Sequence, residues 1–285
     1  MMARQLSPKQ LARAIGSSES SVKRWVDDGA IHAGRTAGGH RRITLAEAIR
    51  FVRSRELEVV HPELFGIARF AYAENELEGF GDQLFRVLES GAAEEARDLV
   101  LSLLLRGHGF AEVCDGPVRE ALTRIGEIWL KRDDGVMIEH RATLICSEIL
   151  SRVEVDFAPA PTTGPSAVGG AYENDQSTLA TWMASLVLRS AGFRSVNLGA
   201  RTPFEAILIA AERNDSSVVW ASVTHVDDET RTRDDLIRFT HETRERGLTC
   251  LLGGRALPSL GVRTPDHVHV VGSFTELAEI GLRLL

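Results

Sequence analysis

The sequence predicts a multidomain protein of the α and α/β classes. A winged helix-turn-helix, a four-helix bundle and a Rossmann-like doubly wound parallel sheet are expected in that order. Residues 1–55 carry 11 Lys and Arg against 4 Asp and Glu, which leaves 22 basic and 36 acidic residues, a charge of −14, for the rest. Apolar residues then recur at helical spacing, and short apolar runs finally alternate with amphipathic segments. We expect domains at residues 1–57, 62–157 and 166–285.

The charge distribution and the cysteines narrow the class of protein. A basic segment on an acidic chain indicates a polyanionic partner for that segment alone. No apolar run approaches the roughly 18–20 residues of a membrane span, and the first residues lack the apolar region of a signal peptide. Cys114, Cys146 and Cys250 are odd in number and widely spaced, which favours neither a disulfide framework nor a zinc site. We therefore expect a soluble cytoplasmic protein without a metal centre or a membrane partner.

Two short helices are predicted at the start of the basic segment. Ser7 and Gln10 form a capping box that opens the first helix. A second helix is expected from about Ser18 to Asp28. Its exposed face carries small polar and basic residues, namely Ser20, Ser21, Lys23 and Arg24. Two short helices across a tight turn, the second with such a face, are typical of a helix-turn-helix.

A basic hairpin is predicted after these helices. Its paired glycines permit a tight tip, and a capping box from Thr44 to Glu47 opens a third helix that reaches about Arg55. The hairpin residues expected to contact DNA are Arg35, Thr36, Gly38, Gly39, His40, Arg41 and Arg42. Such a wing can reach phosphates or the minor groove. The alternative is an ordinary solvated basic face.

Residues 5–55 resemble the winged helix-turn-helix of MerR-type and excisionase-type DNA-binding domains. The resemblance rests on LSPKQLARAIGSSESSVKRWVDDGAI, residues 6–31, and on RTAGGHRRI, residues 35–43. Many MerR regulators have Arg-Arg-Tyr-Gly after the second helix. This chain has Asp-Asp-Gly-Ala at residues 27–30, which is closer to the excisionase variant. The resemblance implies binding to double-stranded DNA and leaves the operator sequence open.

Four helices are predicted between residues 62 and 157. Short connections between amphipathic helices favour a four-helix bundle. The inward positions are Leu84, Val87 and Leu88; Ala96, Leu99, Val100, Leu103 and Leu104; Val118, Leu122, Ile125 and Trp129; and Val136, Ile145, Ile149 and Val153. Near the junction of the last two helices, Trp129 precedes Glu139 and His140. This cluster is either a packed corner with Trp129 in the core, or a surface that faces a ligand.

Trp129, nine intervening residues and Glu139-His140 resemble the cap motif of CarH/LitR-type cobalamin-dependent light-sensing regulators. In that family the bundle lies over the upper face of adenosylcobalamin, with these residue types around the adenosyl group. The resemblance implies that Trp129, Glu139 and His140 line a ligand-facing surface. CarH itself carries a histidine directly after the Trp, where this chain has Leu130.

Five strands are predicted to alternate with helices beyond a Pro- and Thr-rich linker at residues 158–165. They are Ala167–Ala171, Arg194–Asn197, Ser217–Val223, Thr249–Leu252 and Val268–Val271. This alternation predicts a parallel, doubly wound sheet that binds ligands at the carboxyl ends of its strands. Gly253-Gly254 follows the fourth strand. The pair either allows close backbone approach to a ligand or is a simple turn.

The order of the three modules again resembles the CarH/LitR family, and the last module resembles a cobalamin-binding domain. The loop at residues 197–203 and Gly253-Gly254 match loops of that family. Its Asp/Glu-x-His-x-x-Gly motif, which supplies the lower cobalt ligand, corresponds here to Asp175, Ser177 and Ala180. Ser222 stands in a degenerate version of the family's Ser-x-Leu/Val motif on the third strand.

The substitution at position 177 bears on how a cofactor would be held. A serine hydroxyl is a poor ligand for Co(III) beside an imidazole, and Ala180 adds a methyl group where the family has glycine. His ligation of cobalamin is therefore not expected. The alternatives are cobalamin without a protein ligand, another tetrapyrrole, or no ligand.

Three functions follow from these expectations. The first is a transcriptional regulator with a photoreceptor-like sensor region, which couples a cobalamin or related tetrapyrrole to homo-oligomerisation and DNA binding. The second is a ligand-free regulator that uses the sensor fold as an oligomerisation or protein-interaction platform. The third is a corrinoid methyltransferase or mutase component, which the DNA-binding module and the missing His disfavour. No catalytic triad, metal-spaced cluster or phosphate loop is recognisable, so we expect no enzymatic activity.

Overall fold

The computed structural model describes residues 5–67, 77, 79–262 and 265–285. Its contacts divide the chain into two compact units, residues 1–159 and 160–285. The boundary falls within the predicted linker. The segments expected to form the first two domains lie together in the first unit.

The basic segment forms three helices and a small antiparallel sheet. Its elements are β1 (Gln5–Leu6), α1 (Pro8–Ala14), α2 (Glu19–Asp27), β2 (Gly34–Arg35), β3 (Arg41–Thr44) and α3 (Leu45–Ser54). The strands are ordered β1-β3-β2. The predicted capping box is present, because Ser7 Oγ accepts from the Gln10 N–H while the Gln10 side chain accepts from the Ser7 N–H. The ring of Trp25 lies 5.0 Å from that of Phe51, which holds α2 against α3.

The remainder of the first unit is helical. A 3₁₀ turn (Pro62–Phe65) precedes α4 (Phe80–Ser90), α5 (Ala93–Leu105), α6 (Phe110–Val113), a π-helical turn (Cys114–Val118), α7 (Arg119–Lys131) and α8 (Gly135–Asp156). Helices α4, α5, α7 and α8 pack against one another, and α3 packs against α5 and α8. An Arg53 guanidinium N–H also donates to the His108 carbonyl, which ties α3 to the loop after α5.

Two residues predicted to point inward are exposed in the structure. Val136 is 48% exposed and Trp129 is 52% exposed. The buried stripe of α8 runs instead through Ile138, Ala142, Ile145, Ile149 and Val153. Val136 precedes this stripe by two residues, which places its side chain on the opposite side of the helix.

Gly135 permits the close approach of α7 and α8. A Cβ atom at this position would lie 2.6 Å from the Ile128 carbonyl oxygen and 2.7 Å from the Trp129 Cα. Any other residue would therefore push the start of α8 away from the end of α7. The tight corner keeps Trp129 next to the first turn of α8.

The second unit is a five-stranded parallel sheet with helices on both faces, as predicted. Its elements are β4 (Ser166–Ala171), α9 (Thr178–Ala191), β5 (Arg194–Asn197), α10 (Phe204–Arg213), β6 (Ser216–Ser222), α11 (Glu229–Glu245), β7 (Thr249–Gly253), α12 (Leu257–Leu260), β8 (Val268–Val271) and α13 (Phe274–Arg283). The strand order is β5-β4-β6-β7-β8. Helices α9 and α13 pack together on one face of the sheet, and α10 and α11 pack together on the other.

The strand order creates a topological switch point. The chain leaves β4 towards β5 on one side, whereas β6 and the following strands lie on the other side. In such open α/β sheets, ligands bind outside the carboxyl ends of the strands at the switch point. The loops after β4 and β6, residues 172–177 and 223–228, therefore form the candidate ligand site of this unit.

All three cysteines lie in the interior. Cys114 and Cys146 are buried in the first unit and Cys250 is buried in the second. Burial raises the pKa of the Cys146 thiol to about 12 and also raises the pKa values of Cys114 and Cys250. Across the described residues, no helix has both the length and the apolar character needed to span a membrane.

Candidate functional site

The loops at the switch point are tied to neighbouring strands by backbone hydrogen bonds. The Tyr172 N–H donates to the Ser222 carbonyl at 2.9 Å, which extends the pairing of β4 with β6 beyond the strand ends. On the other side, the Ala171 N–H donates to the Gly199 carbonyl at 2.8 Å. The loops after β4, β5 and β6 therefore form one connected edge.

Asp175 is the centre of this edge. Its side chain is fully buried, and Oδ1 accepts from the Ser177 N–H at 2.8 Å while Oδ2 accepts from the Thr224 N–H at 2.5 Å. Its own carbonyl accepts from the Arg201 N–H at 3.0 Å. Asp175 thus connects all three loops. Both carboxylate oxygens are engaged by the backbone, and this is where the structure places the acidic residue of the expected lower-ligand motif.

The other two positions of that motif lie at the start of α9. Ser177 is the N-cap residue, half-buried, with no capping hydrogen bond from its side chain. Ala180 lies half-buried in the first turn. A hydroxyl stands where an imidazole would be needed, so the donor set does not fit His-ligated cobalt. In the described part of the chain, no group of three His, Cys, Asp or Glu residues could hold a metal ion.

Gly254 lies close to the backbone of Val223, so the close approach that it permits is to the protein and not to a ligand. It has a φ of +114°, and a Cβ atom there would lie 2.2 Å from the Val223 carbonyl oxygen. Gly253 has room, since its nearest neighbour would be the Val271 carbonyl oxygen at 3.8 Å. The glycine pair therefore lets the chain after β7 cross the end of β6. Buried Ser222 lies just before this crossing, with its Oγ 3.3 Å from Thr224 Oγ1.

The space between the sheet and α9 is filled by the chain's own side chains. Trp220 is buried across Gly169, where a Cβ atom would lie 2.2 Å from the indole. The indole N–H donates to Thr181 Oγ1 at 3.2 Å, and that hydroxyl donates to Asn197 Oδ1 at 3.0 Å. Sequence reasoning did not single out Trp220. The sequence pattern that could have indicated its burial is a Trp in a predicted strand together with two adjacent glycines in β4, the neighbouring strand.

On the other face of the sheet, a charged cavity of about 300 Å³ lies between α10 and α11. The Tyr172 hydroxyl forms part of its wall and donates to Asp235 at 2.7 Å. Burial, together with the neighbouring Asp235 carboxylate, raises the pKa of Tyr172 to about 12. Arg231 and Arg238 complete the wall and form ion pairs with carboxylates of the same cavity. Both arginines are therefore already paired, and the Glu242 carboxylate of the lining is paired with Arg246.

The expected cap residues lie on an exposed corner of the first unit. Trp129 is exposed near the end of α7, and Val136 and His140 are exposed in the first two turns of α8. His140 Nε2 lies 3.6 Å from a Glu139 carboxylate oxygen. The other Glu139 oxygen accepts from the Thr143 hydroxyl at 2.9 Å. The interpretation of Trp129 as a core residue is therefore wrong. The side chain of Leu130 lies outside what the structure describes.

The second helix of the basic segment presents its expected face to solvent. Lys23 and Arg24 are exposed, and Lys23 forms an ion pair with Glu19 at 2.8 Å. Ser20 is exposed and Ser21 is half-buried, and both hydroxyls lie 2.8 Å from the Ser18 hydroxyl. All four predicted residues are therefore available on, or at the edge of, one surface of α2.

The hairpin between β2 and β3 forms with its tip at residues 36–40. The Thr36 N–H donates to the His40 carbonyl, the Gly39 N–H donates to the Thr36 carbonyl, and Gly39 adopts a φ of +78°. Arg35, Gly38 and His40 are also exposed. The other two arginines differ from the expectation. Arg42 is half-buried, and Arg41 is 21% exposed because it is paired with Asp27.

Comparisons with known proteins identify a fold and no family. No protein-family model and no curated protein matches the sequence. The monomethylamine corrinoid protein of Methanosarcina barkeri has a similar structure, with a TM-score of 0.55 at 15% identity over 74% of this chain and 100% of that chain. That share exceeds the second unit, so the similarity includes residues of the first. The expected cobalamin-binding-type fold, helices together with a five-stranded parallel sheet, is confirmed.

Two further structures give weaker overlays. The methanol:cobalamin methyltransferase complex MtaBC from Methanosarcina barkeri has a TM-score of 0.36 at 15% identity, over 80% of this chain and 93% of that chain. A cobalamin-binding protein from Desulfitobacterium hafniense DCB-2 has a TM-score of 0.35 at 14% identity, over 72% of this chain and 98% of that chain. Scores this low add no structural argument.

Proposed function

We propose that this protein is a DNA-binding transcriptional regulator with a corrinoid-type sensor region. The observation that carries the proposal is the exposed basic surface on α2 and the β2–β3 hairpin of an otherwise acidic chain. The order of two short helices, a hairpin and α3 supports the proposal, since in a winged helix-turn-helix the second helix enters the major groove and the wing contacts phosphates. Lys23 and Arg24 would read bases, and Arg35 would contact the backbone.

The sensor part of the proposal rests on the fold shared with a corrinoid protein. A cobalamin or related tetrapyrrole would bind without ligation by residue 177. Exposed Trp129 would contact the ligand through its ring, while Glu139 and His140 would supply polar contacts. Burial of an aromatic side chain contributes on the order of 2–3 kcal/mol, which corresponds to roughly 30- to 150-fold in affinity without a metal–ligand bond. Ligand binding would then alter homo-oligomerisation on DNA.

A fluorescence anisotropy titration tests the proposal directly. The full chain should bind labelled duplex DNA, with an affinity that falls steeply with salt. Protein mixed with cobalamin and separated from free ligand should retain its visible spectrum. Trp129→Ala should reduce this retention without reducing stability, whereas Leu282→Ala, a change at a similarly exposed apolar residue of the second unit, should leave it unchanged. If the full chain does not bind duplex DNA at low salt, the proposed role as a transcriptional regulator is wrong.

Two other functions are distinguished by the same measurements. A corrinoid methyltransferase or mutase component, an alternative to which the likeness to a corrinoid protein also leads, would retain cobalamin and would not bind DNA. A ligand-free regulator would bind DNA and retain no cobalamin. The buried positions of Asp175 and Trp220 favour this alternative, since their side chains hydrogen-bond within the protein.

A further inference from the structure

Arg41 connects the hairpin to the second helix of the basic segment. One guanidinium nitrogen, Nη2, donates to Asp27 Oδ1 at 2.5 Å, and the other, Nη1, donates to the Lys23 carbonyl at 3.1 Å. Asp27 is the last residue of α2, and Lys23 lies one turn earlier. The arginine therefore spans the C-terminal turn of the helix from a position on β3.

The pairing of the hairpin strands explains why Arg41 needs this partner. Arg35 and Arg41 are directly opposite each other in the antiparallel ladder, so their side chains emerge on the same side of the sheet. Like charges at such positions repel. The Asp27 carboxylate and the negative C-terminal end of α2 together offset the charge of Arg41. Arg35 forms no ion pair with any residue of the described ranges and is exposed.

We propose that Arg41 is a positioning residue that fixes the hairpin against α2, and that Arg35 is the hairpin arginine left to contact a phosphate. This inference rests on the proposed DNA-binding function. An exposed ion pair by itself contributes little to stability. Arg41, however, is only 21% exposed and holds two acceptors at once, so its geometry is constrained. The expectation that all three arginines of the hairpin contact phosphates is thereby revised.

The salt dependence of DNA binding separates a phosphate contact from a positioning contact. The logarithm of the binding constant falls as the logarithm of the salt concentration rises, and each phosphate contact makes this slope steeper by about 0.9. Arg35→Ala should therefore make the slope shallower by about 0.9. Arg41→Ala should weaken binding about tenfold, because a hairpin no longer fixed against α2 must be ordered on the DNA. Arg35 still reaches its phosphate in this variant, so the salt slope should change by much less than in Arg35→Ala.

Asp27→Ala provides the matched control. It removes the same ion pair together with a negative charge, so electrostatics alone would strengthen DNA binding, whereas loss of positioning should weaken it. We expect weaker binding than in wild type, with a salt slope close to that of wild type. If Arg41→Ala lowers the salt slope as much as Arg35→Ala, Arg41 contacts a phosphate and the inference is wrong.

A second measurement needs no DNA. In urea unfolding, the double Ala variant should lose less stability than the sum of the losses in Asp27→Ala and Arg41→Ala, because both single variants remove the same ion pair. Arg41→Ala should cost more than Asp27→Ala, since it also removes the bond to the Lys23 carbonyl. Additive shifts in the double variant would overturn the positioning role. If wild-type protein fails to bind duplex DNA, the proposed function fails while this cycle still decides whether Asp27 and Arg41 are coupled.

Discussion

Asp175 and Thr224, 49 residues apart in sequence, are joined by a hydrogen bond of 2.5 Å from the Thr224 N–H to the Asp175 carboxylate. The bond joins the two loops at the switch point of the sheet, because Asp175 follows β4 and Thr224 follows β6. The acidic residue of the predicted lower-ligand motif thus stabilises the loops at the carboxyl ends of β4 and β6 by accepting from their backbone N–H groups. Whatever ligand this edge accepts must leave that bond in place or replace it.

Asp175→Ala should destabilise the second unit. The change leaves the N–H groups of Ser177 and Thr224 without their acceptor, and an unsatisfied buried donor costs about 1–3 kcal/mol. Urea unfolding followed by circular dichroism measures the loss. Asp227→Ala is the control, since the Asp227 side chain is 65% exposed. Equal midpoints for the two variants would contradict the structural role of Asp175.

The adjacent glycines after β7 should respond differently to the same substitution. Gly254→Ala places a methyl group 2.2 Å from the Val223 carbonyl oxygen and strains a φ of +114°, so we expect a loss of about 3 kcal/mol or more. Gly253→Ala meets nothing closer than 3.8 Å and should cost less than about 1 kcal/mol. Thermal unfolding of both variants decides the question, and similar melting temperatures would show that the crossing at Val223 is misassigned.

Ser177→His together with Ala180→Gly should restore an imidazole below a bound corrin. The Ser177 hydroxyl makes no capping bond and the Ser177 N–H bond to Asp175 involves backbone, so the substitution removes no side-chain cap. We expect higher cobalamin affinity and a spectrum shifted towards the imidazole-ligated form. Ser177→Ala with Ala180→Gly controls for the added space. If the His variant takes up no cobalamin, the edge is closed to a corrin and the ligand-free platform becomes the better account.

Stability of the first unit should fall as the pH drops from about 4.5 to about 2. Burial of Glu47 disfavours its charged form, but hydrogen bonds from Arg50 and His32 outweigh this effect and hold the pKa of Glu47 at about 2 against an ordinary 4.5. A depressed folded-state pKa gives stability that is complete above the unfolded-state pKa and is lost as the carboxylate is protonated. Unfolding midpoints of wild type and Glu47→Gln should therefore converge through this range. Parallel curves would contradict the assignment.

Local patterns account for what the sequence could predict. The strands at residues 194–197 and 268–271 were predicted with their observed bounds. A short strand between two turns can be identified from a few consecutive residues, without knowledge of the rest of the fold. The contacts that shape the candidate sites were not predicted. Asp175 with Thr224 and Arg41 with Asp27 are pairs of polar residues brought together by topology and not by periodicity. The exposure of Trp129 was likewise undecided, because helical spacing does not tell whether a neighbouring helix covers the position.

The buried cysteines allow the unfolding of the two units to be followed separately, because each unit contains at least one of them. A thiol reagent attacks the thiolate, and burial with raised pKa values leaves Cys114, Cys146 and Cys250 unreactive in the folded state. Labelling in rising denaturant, read by peptide mass, would follow the first unit at Cys114 and Cys146 and the second at Cys250. The order in which these masses appear gives the order in which the two units open.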